Sequence, residues 1–186
     1  MSWRRSVAPI DVLVVCTGNM CRSPMIASLL QAAAPSLTVR SAGTGAPVGQ
    51  PWHPLAIEAL AEVALSVSGQ ARQLTAPDVR AAKLILTGEG THRAIAAQLD
   101  ASAEDRAFTL LEAARLLEAS PAAGGIGPTA LAEHLSAALD ADPSEHDDDL
   151  PDPLYGTLAD FRVCRETARG ALAVLVPSLT PGQQGR

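Results

Sequence analysis

Aromatic side chains are scarce: they make up 3% of the 186 residues, although 47% of the chain is apolar. Alanine supplies much of that apolar count, so close helix packing has to do the work that ring stacking does elsewhere. Cysteine is scarce too, with only Cys16, Cys21 and Cys164. Three are too few for a disulfide scaffold, and an odd number suits a reducing compartment and reactive thiols. Basic runs are missing and the formal charge is −6, which argues against a nucleic-acid binder. Any anion site must therefore be local, built by a few groups. No apolar run approaches the roughly 18–20 residues of a membrane span. Arg4 and Arg5 precede an apolar stretch as in a secretory leader, but Pro9 and Asp11 interrupt it and no small-residue cleavage site follows. No histidine pair has metal-ligand spacing. These absences lead to the expectation of a cytoplasmic protein with no cofactor, no metal, no membrane and no nucleic-acid partner.

What is present is an alternation of short apolar runs with helical patterns, which predicts an α/β fold. Strands are expected at Asp11–Cys16, Thr38–Ala42, Lys83–Thr87 and Phe108–Leu110. Helices are expected at Pro24–Ala34, Pro54–Leu65, Thr75–Ala82, Thr91–Leu99, Leu111–Ala119, Thr129–Leu139 and Thr157–Val176. Pro24 suits a first helical position with Ser23 as its cap. The length suits one domain over 10–176, with an extension at 1–9 and a loose tail at 177–186.

One segment carries chemistry: Cys16-Thr17-Gly18-Asn19-Met20-Cys21-Arg22-Ser23, lying between a buried strand and a helix. A turn of that kind aims backbone N–H groups inward as an anion nest, and the helix N-terminus adds donors and positive dipole. The same field favours a thiolate at Cys16, and the thiolate is the nucleophilic form. Arg22 lies on the far lip, where its planar fork can grip two oxygens of a phosphoryl group. Ser23 can donate a hydroxyl hydrogen bond to Cys16.

The spacing is the Cys-x5-Arg-Ser signature of tyrosine phosphatases. The fuller string VCTGNMCRSPM strongly resembles the low-molecular-weight protein tyrosine phosphatase family. The resemblance covers about residues 10–117 and 150–176. It implies a three-layer α/β/α fold with a four-stranded parallel sheet. It also implies hydrolysis of phosphotyrosine proteins or small aryl phosphates through a cysteinyl-phosphate intermediate. By the same resemblance Asp152, in Pro151-Asp152-Pro153, is the general acid, Asn19 holds the loop in a strained conformation, and Ser41 braces it. Cys16 must be ionised while Asp152 is protonated, so activity should be bell-shaped in pH and favour the mildly acidic side. Asp147–Asp149 reads as a solvated acidic loop whose charge helps Asp152 keep its proton. Cys21 shares the loop with Cys16, and in this fold the two sulfurs lie near one another, which allows a reversible disulfide.

Several positions depart from the family pattern. Gly69 stands where a histidine is common, which shortens the network around Asn19, Ser23 and Ser41. Leu154 replaces an aromatic, which leaves Tyr155 as the ring expected beside the site. Trp52 either walls the cleft or caps the following helix. Residues 118–149 form an insertion that either shapes substrate entry or is a neutral elaboration, the second being preferred. Two rivals remain. A thioredoxin-coupled arsenate reductase would need further cysteines near Lys83–His92, and none is there. A non-catalytic phosphate-binding module on the same fold is disfavoured by the intact Cys16, Arg22 and Asp152.

Overall fold

The computed structural model describes residues 8–141 and 146–180. Most of the 1–9 extension and the 181–186 part of the expected tail lie outside the described residues. Four strands form one parallel sheet in the order β2-β1-β3-β4: β1 Ile10–Cys16, β2 Val39–Gly43, β3 Ala82–Thr87 and β4 Ala107–Thr109. The centre of the sheet is β1, and Val12, Leu13, Val14 and Val15 have no solvent exposure. An uninterrupted apolar run is what a strand covered on both faces requires.

On one face, α3 (Ala76–Ala81) and α4 (Gly90–Leu99) pack with Leu13, Val15, Ile85 and Ala96 into a small core. On the other, α1 (Arg22–Ala33), α2 (Pro54–Ala61), α5 (Leu110–Ala119), α6 (Gly127–Ala141) and α7 (Leu158–Leu179) enclose the larger core. The expected fold class is the observed one. Within the segment read as an insertion, α6 buries Leu131, Ala132 and Leu135 in that larger core.

Boundaries moved where a side chain had a second task. Helix α1 begins at Arg22, two residues before Pro24, with Cys21 at the N-cap position and no side-chain cap. Ser23 is therefore not a cap; its hydroxyl faces Cys16 instead. Thr109 ends β4 one residue early because it caps α5 in a reciprocal box with Glu112. Helix α2 stops at Ala61, and the chain turns through Ala64 at φ 62°, where the Leu65 N–H donates back to the Leu60 carbonyl. Helix α7 runs past Val176 through Pro177, so the first residues of the expected tail are helical. Proline lacks an N–H, but the helix is held there by Thr180 N–H to the Val176 carbonyl and by Gly125 N–H to the Pro177 carbonyl.

Candidate active site

The β1–α1 turn lies at the carboxyl edge of the sheet, where open α/β sheets present their ligand crevices. Its register is set from the side. Cys16 pairs with Gly43 of β2, and the 71–74 segment adds to that edge through Gly43 N–H to the Arg72 carbonyl and Leu74 N–H to the Gly43 carbonyl. A Cβ on Gly43 would lie 2.5 Å from the Thr17 carbonyl oxygen and 2.9 Å from the Asn19 nitrogen. Only glycine lets the loop pass this close.

Inside the loop, Asn19 adopts φ 53°, a left-handed conformation that asparagine tolerates better than most residues. Its side chain fixes three neighbours. The amide donates to Ser23 Oγ and to Ser41 Oγ, each at 2.9 Å, and its oxygen accepts from the Arg72 N–H at 2.9 Å. Cys16 Sγ lies 3.0 Å from Ser23 Oγ. Asn19 donates to Ser23, and the Ser23 hydroxyl hydrogen, whose other acceptor is the Ala42 carbonyl at 3.5 Å, can support a Cys16 thiolate. Asp78 accepts from the Arg72 guanidinium at 2.8 Å and so anchors the outer end of this network.

Arg22 is 1% exposed, and both of its terminal guanidinium nitrogens are bonded. Nη1 donates to Glu89 and to the Leu150 carbonyl at 3.0 Å, and Nη2 donates to Asp152 Oδ2 at 2.7 Å. Burial alone would lower the Arg22 pKa, but the Glu89 hydrogen bond and the charges of Asp152 and Glu89 outweigh it and hold it above its ordinary value. Burial works against the Glu89 carboxylate as well, and there the bond and charge of Arg22 prevail and lower its pKa. Arg22 thus brings Asp152, 130 residues away, to the phosphate loop.

Asp147 and Asp149 of the acidic run are exposed, as expected, but Asp148 and Asp149 are tied down. Asp148 accepts from Arg115 Nη2 at 2.8 Å, and its carbonyl accepts from Thr109 Oγ1 at 2.7 Å. Asp149 accepts from the Gly90 N–H at the start of α4, and Leu150 N–H donates to the Gly88 carbonyl, both at 2.8 Å. The run is a strap that ties the Asp152 loop to the ends of β3 and β4 and to the start of α4.

Cys16, Thr17, Gly18, Met20, Cys21, Arg22, Gly45, Pro47, Asp152 and Leu154 line one cleft of about 270 Å³. Its side walls are Met20, Pro47 and Leu154. Trp52 does not line it. The indole packs over Gly69, where an added Cβ would lie 2.6 Å from the ring, so the ring takes the space that a side chain at 69 would need. Tyr155 is 99% exposed and does not line the cleft either. Burial pushes the Cys21 and Cys164 thiols each up to about 12, leaving both protonated at neutral pH. All three cysteines are free. Among the described residues, no three His, Cys, Asp or Glu side chains cluster to hold a metal ion, and no helix is long and apolar enough to cross a membrane.

Sequence reasoning missed Gly43, Glu89, His92 and the partners of Asp148 and Asp149. One signal was available for Glu89 and His92: they follow directly on β3, at the same sheet edge as Cys16.

The sequence pattern of the family described as low molecular weight phosphotyrosine protein phosphatase matches residues 11–116. A probable low molecular weight protein-tyrosine-phosphatase, EpsP, of Ralstonia solanacearum is 46% identical over 83 residues, 44% of this chain and 57% of that protein. The protein-arginine-phosphatase of Bacillus subtilis is 36% identical over 107 residues, 55% of this chain and 71% of that protein. The solution structure of a low molecular weight protein tyrosine phosphatase from Bacillus subtilis matches with TM-score 0.70 and 27% identity, covering 91% of this chain and 97% of that one. The chain spans little more than half the length of the first curated relatives it matches.

Proposed function

The chain belongs to the low molecular weight phosphotyrosine protein phosphatase family, and from that premise we propose that it hydrolyses phosphate monoesters of tyrosyl or other aryl groups on phosphoproteins. The observation that carries this reading is the convergence of Cys16, Arg22 and Asp152 on one cleft. In the first step the Cys16 thiolate attacks phosphorus while the loop N–H groups and Arg22 hold the equatorial oxygens. Asp152 gives its proton to the departing phenoxide. Substrate must take Arg22 Nη2 from Asp152, because the two are paired at 2.7 Å. That exchange frees the carboxylate, which takes up a proton from the arriving phosphate monoanion or from solvent and then faces the leaving oxygen. In the second step Asp152, now a carboxylate, activates water against the cysteinyl-phosphate, and Ser23 supports the departing Cys16 thiolate. Glu89 stays on Nη1 and so fixes the orientation of the guanidinium. The reading extends to the cytoplasm, where three thiols stay reduced.

A second substrate class, phosphoarginine, is favoured by two observations. The walls of the cleft are aliphatic, with no aromatic ring among its lining residues. The Bacillus subtilis relative, 71% of whose length is matched, is a protein-arginine-phosphatase. Turnover of para-nitrophenyl phosphate, abolished in Cys16→Ser, tests the activity. Paired phosphotyrosine and phosphoarginine peptides separate the substrates.

A further inference from the structure

Thr17 follows the nucleophile directly and lines the cleft. Its Oγ1 lies 2.8 Å from Nε2 of His92, in the first turn of α4. His92 is 2% exposed, and its other ring nitrogen, Nδ1, has no hydrogen-bond partner among the described residues. The turn that carries it also holds Glu89, which binds Arg22, and Gly90, which binds Asp149. One stretch after β3 therefore touches the clamp, the acid strap and the residue beside the nucleophile.

The state of the ring follows from its surroundings. Burial lowers the His92 pKa; Glu89, Asp149 and Asp152 favour the cation, and Arg22 opposes it. The N-terminal end of the α4 dipole opposes it as well. The ring is therefore neutral near neutral pH and carries one hydrogen. A hydrogen on Nδ1 would be a buried donor with nothing to bond, the costlier arrangement. The hydrogen thus sits on Nε2 and is donated to Thr17 Oγ1. The Thr17 hydroxyl accepts there, so its own hydrogen is left for an acceptor on the cleft side.

We propose that His92 orients the Thr17 hydroxyl as an added hydrogen-bond donor to the phosphoryl group in the cleft. Thr17 is then a direct contact to a phosphoryl oxygen, and His92 is its positioning residue. The proposal rests on the phosphatase reading for the identity of the guest. It needs only an oxyanion in the loop to be tested.

The test combines kinetics, anion binding and the ring's own signal. Thr17→Val is expected to lower kcat/KM for para-nitrophenyl phosphate about tenfold and to weaken inorganic phosphate binding by a similar factor. His92→Leu should cost about as much, Thr17→Val/His92→Leu no more than either alone, and His92→Gln, whose amide can donate in place of Nε2–H, should recover most of the loss. Nitrogen-15 NMR of the whole chain should show the neutral His92 ring, above its titration, as the Nε2–H tautomer. Losses that add in the double variant, a Thr17→Val enzyme that binds phosphate normally, or an Nδ1–H tautomer would each overturn the proposal. A wild-type chain that binds phosphate without turnover would fail the phosphatase reading alone, since the binding and NMR measurements would still decide the role of Thr17 and His92.

Discussion

Between Cys16 and Ser23 the chain is held by buried groups: a left-handed asparagine bonded on three sides, a glycine contact with no spare room, and a helix that starts inside the motif. Between Asp147 and Gly156 it is held from outside, by Arg115, by the first turn of α4 and by Arg22 itself. The first region is a rigid mould for an oxyanion. The second is a strap, with Asp152 exposed at its end and a proline on each side to limit its freedom. Binding needs the mould to be ready in advance, while proton transfer needs a carboxyl that can leave Arg22 when substrate arrives.

If this division is right, damage to the mould should exceed damage to the strap. The largest effect is expected from Gly43→Ala. The added methyl must push the Thr17 carbonyl or the Asn19 nitrogen aside, and kcat/KM should fall about a hundredfold. Overpacking should also cost about 1–3 kcal/mol in urea unfolding. Asp149→Ala should do less and do it selectively. Releasing the strap from Gly90 should slow phenyl phosphate, a poor leaving group, about tenfold, while para-nitrophenyl phosphate changes little. Equal losses on both substrates would mean that the strap serves binding instead of proton transfer.

A pH experiment sharpens the comparison from the side of the fold. The His92 pKa is lowered in the folded chain from an ordinary value of 6.5. Below about 6.5 the unfolded chain takes up a proton that the folded chain resists, so stability should fall as pH drops through that window. His92→Gln should remove that part of the slope, measured by urea unfolding at a series of pH values. The smallest effect is expected far from both regions. Ala64 sits at φ 62°, and Ala64→Gly should stabilise the chain by about 0.5–1 kcal/mol without touching activity.

The two regions also differ in how plainly the sequence displayed them. The mould is contiguous: strand, glycine, cysteine, arginine and helix start follow one another, so both the fold class and the loop could be read directly. The proline pair around Asp152 was legible through its resemblance to the family pattern. Its attachment was not, because Asp148 meets Arg115 and Asp149 meets Gly90 across 33 and 59 residues, and a run of three aspartates looks the same whether solvated or paired. Glu89 and His92 were hidden for the same reason, since only the adjacency of β1 and β3 brings the end of one strand to the end of the other. The placement of Trp52 needed Gly69, a residue that marks its role by having no side chain. Helix ends slipped by a residue or two wherever a capping or network hydroxyl, as at Ser23 and Thr109, had to choose between two partners.

Central to the proposed reaction is a covalent phosphate on Cys16. Asp152→Asn should slow the release of that phosphate while leaving the mould intact. Rapid acid quench of the Asp152→Asn variant during turnover of para-nitrophenyl phosphate, followed by peptide mass spectrometry, should find phosphate on the peptide that contains Cys16 and none on that peptide in Cys16→Ala. Continued hydrolysis with no phosphate on Cys16, or turnover that survives Cys16→Ser, would contradict the account.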